Sequence, residues 1–260
     1  MLTALLYGVL ASSGLLIGVT IGLVASPPRR LVAAVVAFGS GVLVSALTFE
    51  LMEEAFTEGS PAFTVGGFLL GAVIYVIADV LLERMAARSP QREGRDPQDV
   101  VAGAEHIPQT TEQATVSGTA LLVGAALDGI PENAAIGIGL VADGQGLALV
   151  LLGAVFLGNL PASMSSAVGM REEGRSRTYI LTARGTVAIT CTLATVLGYT
   201  LLSGLSPNLI GAMLALAAGG ILAMLADTMM PEAFQNGGPF VALATAVGFA
   251  CAFLLSHLAG

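Results

Sequence analysis

Long apolar runs are the feature that most constrains how this chain can fold. We count eight of them, each close to or above the roughly 20 residues that a helix needs to cross a bilayer. Their approximate bounds are 2–25, 31–57, 62–83, 117–142, 146–170, 178–203, 207–234 and 238–258. Backbone groups in lipid must be hydrogen-bonded within their own segment, so each run is predicted to be a helix. The sequence therefore predicts an all-α, polytopic membrane protein with eight transmembrane helices.

The composition agrees with a single transmembrane domain that covers residues 1–260. The chain is 55% hydrophobic and only 11% charged, whereas soluble domains carry about 25% charged residues. The long polar stretch 84–116 holds few large apolar side chains, so it is predicted to be a flexible linker between helices 3 and 4. A formal net charge of −8 leaves no basic surface for nucleic acid.

The positive charges predict an orientation. The chain has ten arginines and no lysine, and every arginine lies in or beside the linkers after helices 1, 3 and 5. They are Arg29, Arg30, Arg84, Arg88, Arg92, Arg95, Arg171, Arg175, Arg177 and Arg184. By the positive-inside rule these linkers face the cytoplasm. We therefore expect a multi-pass protein of the inner (plasma) membrane, with a cytoplasmic loop 84–116 and both termini extracytoplasmic.

A weak internal repeat joins helices 2 and 7. Met52–Phe56 (MEEAF) resembles Met230–Phe234 (MPEAF) at an offset of 178, and the same offset pairs Leu47 with Leu225. Chance similarity in Ala- and Gly-rich sequence is the alternative. Five crossings separate the two helices, so they run in opposite directions, as in the inverted repeats of transporters. The pattern predicts an inverted 3+2+3 arrangement, with helices 4 and 5 as the central pair.

Helices 4 and 5 share a second pattern around a proline. Leu127–Asn133 (LDGIPEN) resembles Leu157–Ser163 (LGNLPAS). A proline inside a helix removes one backbone hydrogen bond and frees the carbonyl four residues before it. We therefore expect a break in each helix. In lipid the freed carbonyl needs a partner, which is either a cation or a neighbouring helix that packs against a kink.

Acidic side chains inside the apolar runs are the strongest functional signal. Each costs about 2.5–3.5 kcal/mol to insert, and no lysine can pair with them, so they should protonate or bind a cation. A spacing of four residues places Asp128 and Glu132 on one face of helix 4, and Asn159 and Ser163 on one face of helix 5. Their oxygens suit hard divalent cations. The candidate metal ligands are Asp128, Glu132, Asn133, Asn159, Ser163, Asp227 and Glu50.

Several of these residues have a structural alternative. Asp227 can be a protonated carboxyl that a neighbouring helix satisfies, and Asn159 can form a hydrogen bond between helices. Glu53, Glu54 and Glu232 lie close to helix ends, where they can line a solvated vestibule.

The segment 126–140 (ALDGIPENAAIGIGL) resembles the fourth helix of the ZIP (Zrt/Irt-like) metal transporters, which carries H-N-x-P-E-G. The helix count, the outward termini and the linker after helix 3 agree with that family. The resemblance implies a divalent-cation transporter of bacterial type that works by alternating access, with a midplane site on helices 4, 5, 2 and 7. It implies no prosthetic group, because the ion (zinc by family habit, with manganese, iron(II) and cadmium as alternatives) is the substrate.

Carried over by position, the resemblance assigns roles to four residues of this chain. Glu132 holds the family's carboxylate, and Asp128 stands where the family has histidine. Asn159 matches a polar position of helix 5, and Asp227 matches an acidic position of helix 7.

The chain departs from the family at Gly129, Gly158 and Ala162, where a ligand is missing. One bound ion is therefore expected rather than two. The candidate ligands include no His or Cys, which favours manganese or iron(II) over zinc. Ala162 also leaves an alternative open, a degenerate relative that binds metal without transporting it.

An enzyme is not predicted. Asp128 and Asp227 lack the G-x-G-D and Y-D contexts of intramembrane aspartyl proteases, and the chain has no H-E-x-x-H. The expected partners are a divalent ion and the lipid bilayer. The small residues Gly14, Gly18 and Gly22 can pack helices within one chain or between two copies, so a homodimer stays open.

Overall fold

Eight long helices make up the described chain. The structure is a computed structural model that describes the backbone of residues 1–25, 27–87 and 118–259, and the side chains of 1–25, 27–82, 84 and 129–256. The helices are α1 Leu2–Val24, α2 Arg29–Glu58, α3 Pro61–Ala87, α4 Gly118–Ala142, α5 Gln145–Glu172, α6 Arg177–Leu202, α7 Pro207–Gly237 and α8 Val241–Ala259. No strand occurs in these ranges, so the all-α prediction is confirmed.

The helices are those of a membrane-embedded protein. Among the described residues, α1, α2, α3, α5, α6 and α7 are long and apolar enough to cross a bilayer. The described parts of α4 and α8 add the shorter apolar stretches Gly129–Ala142 and Val241–Ser256. Helix α3 runs on to Ala87, so residues 84–87 of the predicted linker are helical, and its remainder, 88–116, lies outside the described residues.

Short connections follow α4, α5, α6 and α7, and each contains a glycine in the left-handed region. Gly144, Gly174, Gly204 and Gly238 have φ values of 74°, 80°, 93° and 70°. Residues that carry a Cβ rarely adopt such values. Helix α6 then begins with a side-chain cap, because the Ser176 hydroxyl accepts a hydrogen bond from the Tyr179 backbone N–H at 3.2 Å. These residues stop one helix and start the next within a few positions.

Two helices contain an irregular turn, but they are not the two in which the sequence predicts one. Helices α4 and α5 continue past Pro131 and Pro161, so the breaks predicted there are wrong. Instead, the backbone is π-helical at Leu47–Leu51 in α2 and at Leu225–Met229 in α7. The two π-helical segments begin 178 residues apart, which is the offset of the sequence repeat.

Four helix pairs pack at close range: α1 with α5, α4 with α6, α2 with α8, and α3 with α7. Glycine makes this approach possible. A Cβ at Gly18 would lie 2.2 Å from the Leu160 carbonyl oxygen, and one at Gly71 would lie 1.9 Å from that of Leu216. Small residues at interfaces are typical of helices that associate in lipid. The face of Gly14, Gly18 and Gly22 is thus used within the chain, against α5.

The candidate ligands lie on the central helices of the bundle. Helix α2 packs on α5, α4 packs on α7, and α4 also packs on α5. Buried side chains from all four helices, including Leu43, Ile136, Leu151 and Leu214, form the main core. The core therefore surrounds the region in which the sequence predicts a metal site.

The two ends of the bundle differ in charge. Arg29 begins α2, Arg171 lies in the last turn of α5, and Arg177 begins α6. We call this the arginine-rich end. At the opposite, arginine-free end, the end of α2 and the residues between α4 and α5 come together with Ser256 of α8.

Candidate functional site

Glu132 is the most buried carboxylate among the described side chains. Its side chain is only 3% exposed. The preceding residue, Pro131, packs against α7, because a Cβ at Gly220 of α7 would lie 3.7 Å from the Pro131 Cβ. Ten residues of helix separate Glu132 from the end of α4, which is about 15 Å at 1.5 Å per residue. That depth is about half the thickness of a bilayer's hydrocarbon core.

Asp128, the residue predicted to share the site, precedes Glu132 by one turn of the same helix. Its side chain lies outside the described side chains, so the pairing with Glu132 stays a prediction. Among the side chains that are described, no group of three or more His, Cys, Asp or Glu residues is arranged to hold a metal ion. A site centred on Glu132 therefore depends on Asp128.

Asn133 lies in a hydrogen-bonded contact between α1, α4 and α6. Its side chain is fully buried, and its Nδ2 donates to the Gly129 carbonyl oxygen at 2.9 Å. Its Oδ1 accepts a long hydrogen bond of 3.5 Å from the Ser12 hydroxyl, which in turn accepts from Thr192 Oγ1 at 3.3 Å. The amide of Asn133 thus joins helices rather than pointing at an open space.

Asn159 and Ser163 of α5 also face α1. They lie next to Gly14 and Leu15, just beyond the Ser12 that Asn133 contacts. The buried Ser163 hydroxyl donates to the Leu15 carbonyl oxygen at 2.6 Å. The Asn159 side chain is 6% exposed, and its Cβ would be 3.5 Å from a Cβ at Gly14. Its Nδ2 is buried and has no hydrogen-bond partner in the described structure. An unpaired buried N–H costs about 1–3 kcal/mol, so this amide marks a place where an acceptor is needed.

The residues around positions 12–15 of α1 therefore form a buried polar cluster. Three of the predicted ligands, Asn133, Asn159 and Ser163, meet there, together with Ser12 and Thr192. Hydrogen bonds between membrane helices stabilise their packing. The cluster links α1 to α4, α5 and α6.

Replacing Ser163 with Ala tests which of its two roles dominates. The variant loses the hydrogen bond to the Leu15 carbonyl, so we expect its free energy of unfolding to fall by about 0.6–1.7 kcal/mol. The measurement is unfolding in detergent, followed by helicity. Replacing Thr20, an exposed residue whose hydroxyl bonds only within α1, with Ala is the control. A loss of metal binding with unchanged stability would assign Ser163 to the metal instead.

Two glycines that stand where a ligand is missing are packing positions. A Cβ at Gly158 would lie 2.7 Å from Leu43 Cδ1 of α2, and one at Gly129 would lie 2.5 Å from the sulfur of Cys191 on α6. A larger side chain at either position would need its neighbour to move. Both glycines are therefore closely packed against a neighbouring helix.

Glu50 lines a cavity of about 440 Å³ at the arginine-free end. Glu53, Glu54 and Asp143 also line it, as the vestibule alternative for Glu53 and Glu54 expects. The Ser256 hydroxyl of α8 donates to the Glu50 carboxylate. Four carboxylates around one opening create a negative potential that attracts cations.

Glu232 lines a second cavity, of about 320 Å³, at the arginine-rich end. This position is the one that the vestibule alternative for Glu232 expects. The Ser165 hydroxyl of α5 donates to the Glu232 carboxylate of α7. At the mouth of the same cavity, Arg29 of α2 forms an ion pair with Glu172 of α5.

Asp227 is set apart from both cavities. It lies in the π-helical segment Leu225–Met229, it is exposed, and it lines neither of the two cavities. No hydrogen bond or ion pair joins its carboxylate to another residue whose side chain is described. A metal-binding role for Asp227 stays a prediction.

Sequence reasoning missed Ser12, Thr192, Asp143, Ser165 and Ser256. Ser165 follows Pro161 by four residues, so the proline pattern could have indicated that it shares that face of α5. Asp143 was visible only as a turn residue, and hydroxyl residues in apolar runs give no periodic signal. Comparison with known proteins assigns no family, because no protein-family model and no curated protein matches this chain.

Proposed function

We propose that this protein transports divalent metal cations across a membrane, as its resemblance to the ZIP transporters implies, and that Asp128 and Glu132 hold the ion near the midplane. The observation that carries the proposal is the burial of Glu132, 3% exposed in the middle of a membrane helix. A carboxylate at that depth is costly unless its charge is compensated. A divalent cation bound by Asp128 and Glu132 lowers that cost.

The two cavities support a path for the ion. Both are lined by α2 and α5, one at each end of the cleft between these helices. Glu54 lines the first and Glu232 lines the second, and these residues are 178 positions apart. Acidic walls raise the local concentration of cations at an opening. In the proposed cycle the ion enters through one cavity, binds at Glu132 and leaves through the other.

Helix packing supports an inverted 3+2+3 repeat. Exchanging helices 1 with 6, 2 with 7, 3 with 8 and 4 with 5 converts the α1–α5 pair into α6–α4, and the α2–α8 pair into α7–α3. All four pairs are in close contact. The matching π-helical segments at Leu47–Leu51 and Leu225–Met229 support the same exchange. Inverted repeats are the usual basis of alternating access.

The resemblance to the ZIP transporters also implies which parts move, and the packing supports that division. We expect α1, α4, α5 and α6 to move against α2, α3, α7 and α8. The buried polar cluster around positions 12–15 of α1 supports the first group as a unit, because its hydrogen bonds join α1 to the other three helices. The membrane in this proposal is the inner (plasma) membrane, with the arginine-rich end in the cytoplasm and both termini outside.

Uptake into proteoliposomes tests the function directly. The purified chain should take up manganese or iron(II) faster than zinc or cadmium, because the proposed ligands are carboxylate oxygens. Empty liposomes give the background rate. Faster uptake of zinc would mean that the ion preference follows the family habit instead. Uptake of all four ions at no more than the background rate would contradict transport.

A metal-binding membrane protein without transport activity is the second candidate. Ala162 favours it, since this partly buried residue stands where the family has a carboxylate ligand. That candidate predicts calorimetric binding of an ion without uptake. Restoring the carboxylate with Ala162→Glu should then restore uptake.

A further inference from the structure

The two cavities of the α2–α5 cleft differ in how their walls are joined. At the arginine-free end, the Ser256–Glu50 hydrogen bond runs between α8 and α2 and leaves α5 untouched. Asp143 lies two residues before α5, and its carboxylate accepts a hydrogen bond of 3.3 Å from the Leu147 N–H in the first turn of α5. Among the described side chains at this end, we find no hydrogen bond or ion pair that joins α5 to α2 or α8.

At the arginine-rich end, two polar contacts do cross the cavity. Arg29 of α2 pairs with Glu172 of α5, with Arg29 Nε also 3.4 Å from Glu172 Oε1. About two turns deeper, Ser165 of α5 donates to Glu232 of α7. At this arginine-rich end, the start of α2 and the end of α7 together form one wall of the cavity, since a Cβ at Gly237 would lie 2.9 Å from the Ala33 Cβ. The end of α5 forms the other wall.

Helix α5 is itself attached to α1, so the two contacts join separate groups of helices. Arg171 Nη1 donates to the Leu23 carbonyl oxygen of α1 at 3.4 Å, one residue before the ion-pairing Glu172. The Ser163–Leu15 hydrogen bond holds the same two helices together further in. Motion of α5 and α1 away from α2 and α7 must therefore break both the Arg29–Glu172 ion pair and the Ser165–Glu232 hydrogen bond.

We infer that the Arg29–Glu172 ion pair and the Ser165–Glu232 hydrogen bond form a latch that holds the two walls of the cavity at the arginine-rich end together, whereas no such contact joins the walls at the arginine-free end. This inference rests on the proposed transport cycle. It assigns Arg29 and Glu172 a positioning role, because neither reaches Glu132. The side chains of the pair are 66% and 44% exposed, so each contributes a modest bias rather than a permanent closure.

Thiol accessibility in detergent-purified full-length protein tests the latch without any transport measurement. The background is Cys251→Ser, which removes the exposed cysteine and keeps the buried Cys191. The reporter is Ser166→Cys in the wall of the cavity between the two contacts. The rate at which a polar maleimide labels the thiol at position 166 measures how often the latch opens.

Neutralising the ion pair with Glu172→Gln should raise the labelling rate about two- to fivefold, the range by which an exposed ion pair biases an equilibrium. The charge-swapped double variant Arg29→Glu with Glu172→Arg should restore the original rate. Salt at about 1 M should raise the rate in the background protein and leave Glu172→Gln unchanged, because it screens exposed charges. Ser165→Ala should also raise the rate.

Glu173→Gln is the matched control. Glu173 lines the same cavity next to Glu172 but is not part of the latch, so its replacement should leave labelling unchanged. Equal rates in Glu172→Gln and the background would overturn the inference, as would a rise in Glu173→Gln of the same size. If labelling responds as expected but liposomes take up no ion, the latch stands and the proposed transport fails. If ions are taken up while labelling does not respond, only the latch fails.

Discussion

Uptake of the transported cation should fall to the background rate when Glu132 is replaced with Gln. Glutamine keeps the shape of the side chain and its ability to accept a hydrogen bond, but it removes the negative charge that a divalent ion requires. Loss of a residue that only supports a metal ligand costs about 10–100-fold in metal affinity. Loss of a ligand itself should cost at least as much. The measurement is initial uptake in proteoliposomes that contain equal amounts of folded protein.

Glu58→Gln is the control for the same change in charge. Glu58 ends α2 and lines neither cavity, so its replacement should leave uptake near the wild-type rate. Asp128→Asn should behave as Glu132→Gln does if the two carboxylates share one ion. Wild-type uptake in Glu132→Gln would remove this residue from the site and, with it, the observation on which the proposed function depends.

Replacing Gly71 with Leu should separate α3 from α7. The Cβ alone would lie 1.9 Å from the Leu216 carbonyl oxygen, and a backbone oxygen in a packed helix cannot turn aside as a flexible side chain can. Overpacking of this kind costs about 1–3 kcal/mol, and occasionally more. We expect a lower melting temperature in detergent and a smaller yield of monodisperse protein.

The same substitution five residues earlier on α3, on a different face of the helix, provides the comparison. A Cβ at Gly66 would meet no atom within 4 Å, so Gly66→Leu adds apolar surface without displacing a neighbour. Its melting temperature should match or exceed that of the wild type, because Leu also has a better helix propensity than Gly. Equal melting temperatures for Gly71→Leu and Gly66→Leu would show that the α3–α7 contact is loose.

The sequence predicts the helices well because crossing lipid imposes a simple requirement of length and apolarity. The run predicted at 146–170 is observed as Gln145–Glu172, and the end of α2 predicted at residue 57 is observed at Glu58. The position of Glu53 and Glu54 at an opening of the bundle also agrees with their short distance to a helix end. These features depend only on position along one helix.

Features that depend on two helices could not be read in the same way. Asn159 and Ser163 were assigned to one face of α5 correctly, but the sequence does not tell which neighbour that face meets, and it is α1. The breaks predicted at Pro131 and Pro161 did not occur because the lost hydrogen bond is tolerated within a packed helix. Whether Asp128 joins Glu132 is the part of the site that remains a prediction.

The π-helical turns also determine where the acidic ends of α2 and α7 are aimed. A π-helical turn holds about one residue more than an α-helical turn, and each residue of an α-helix rotates the chain by about 100°. Everything after Leu51, Glu54 included, is therefore turned by about that angle from the face that a helical wheel would assign. The same holds for Glu232 beyond Met229. Deleting a single residue from either turn would rotate these carboxylates away from their openings while Glu54 and Glu232 themselves stay unchanged.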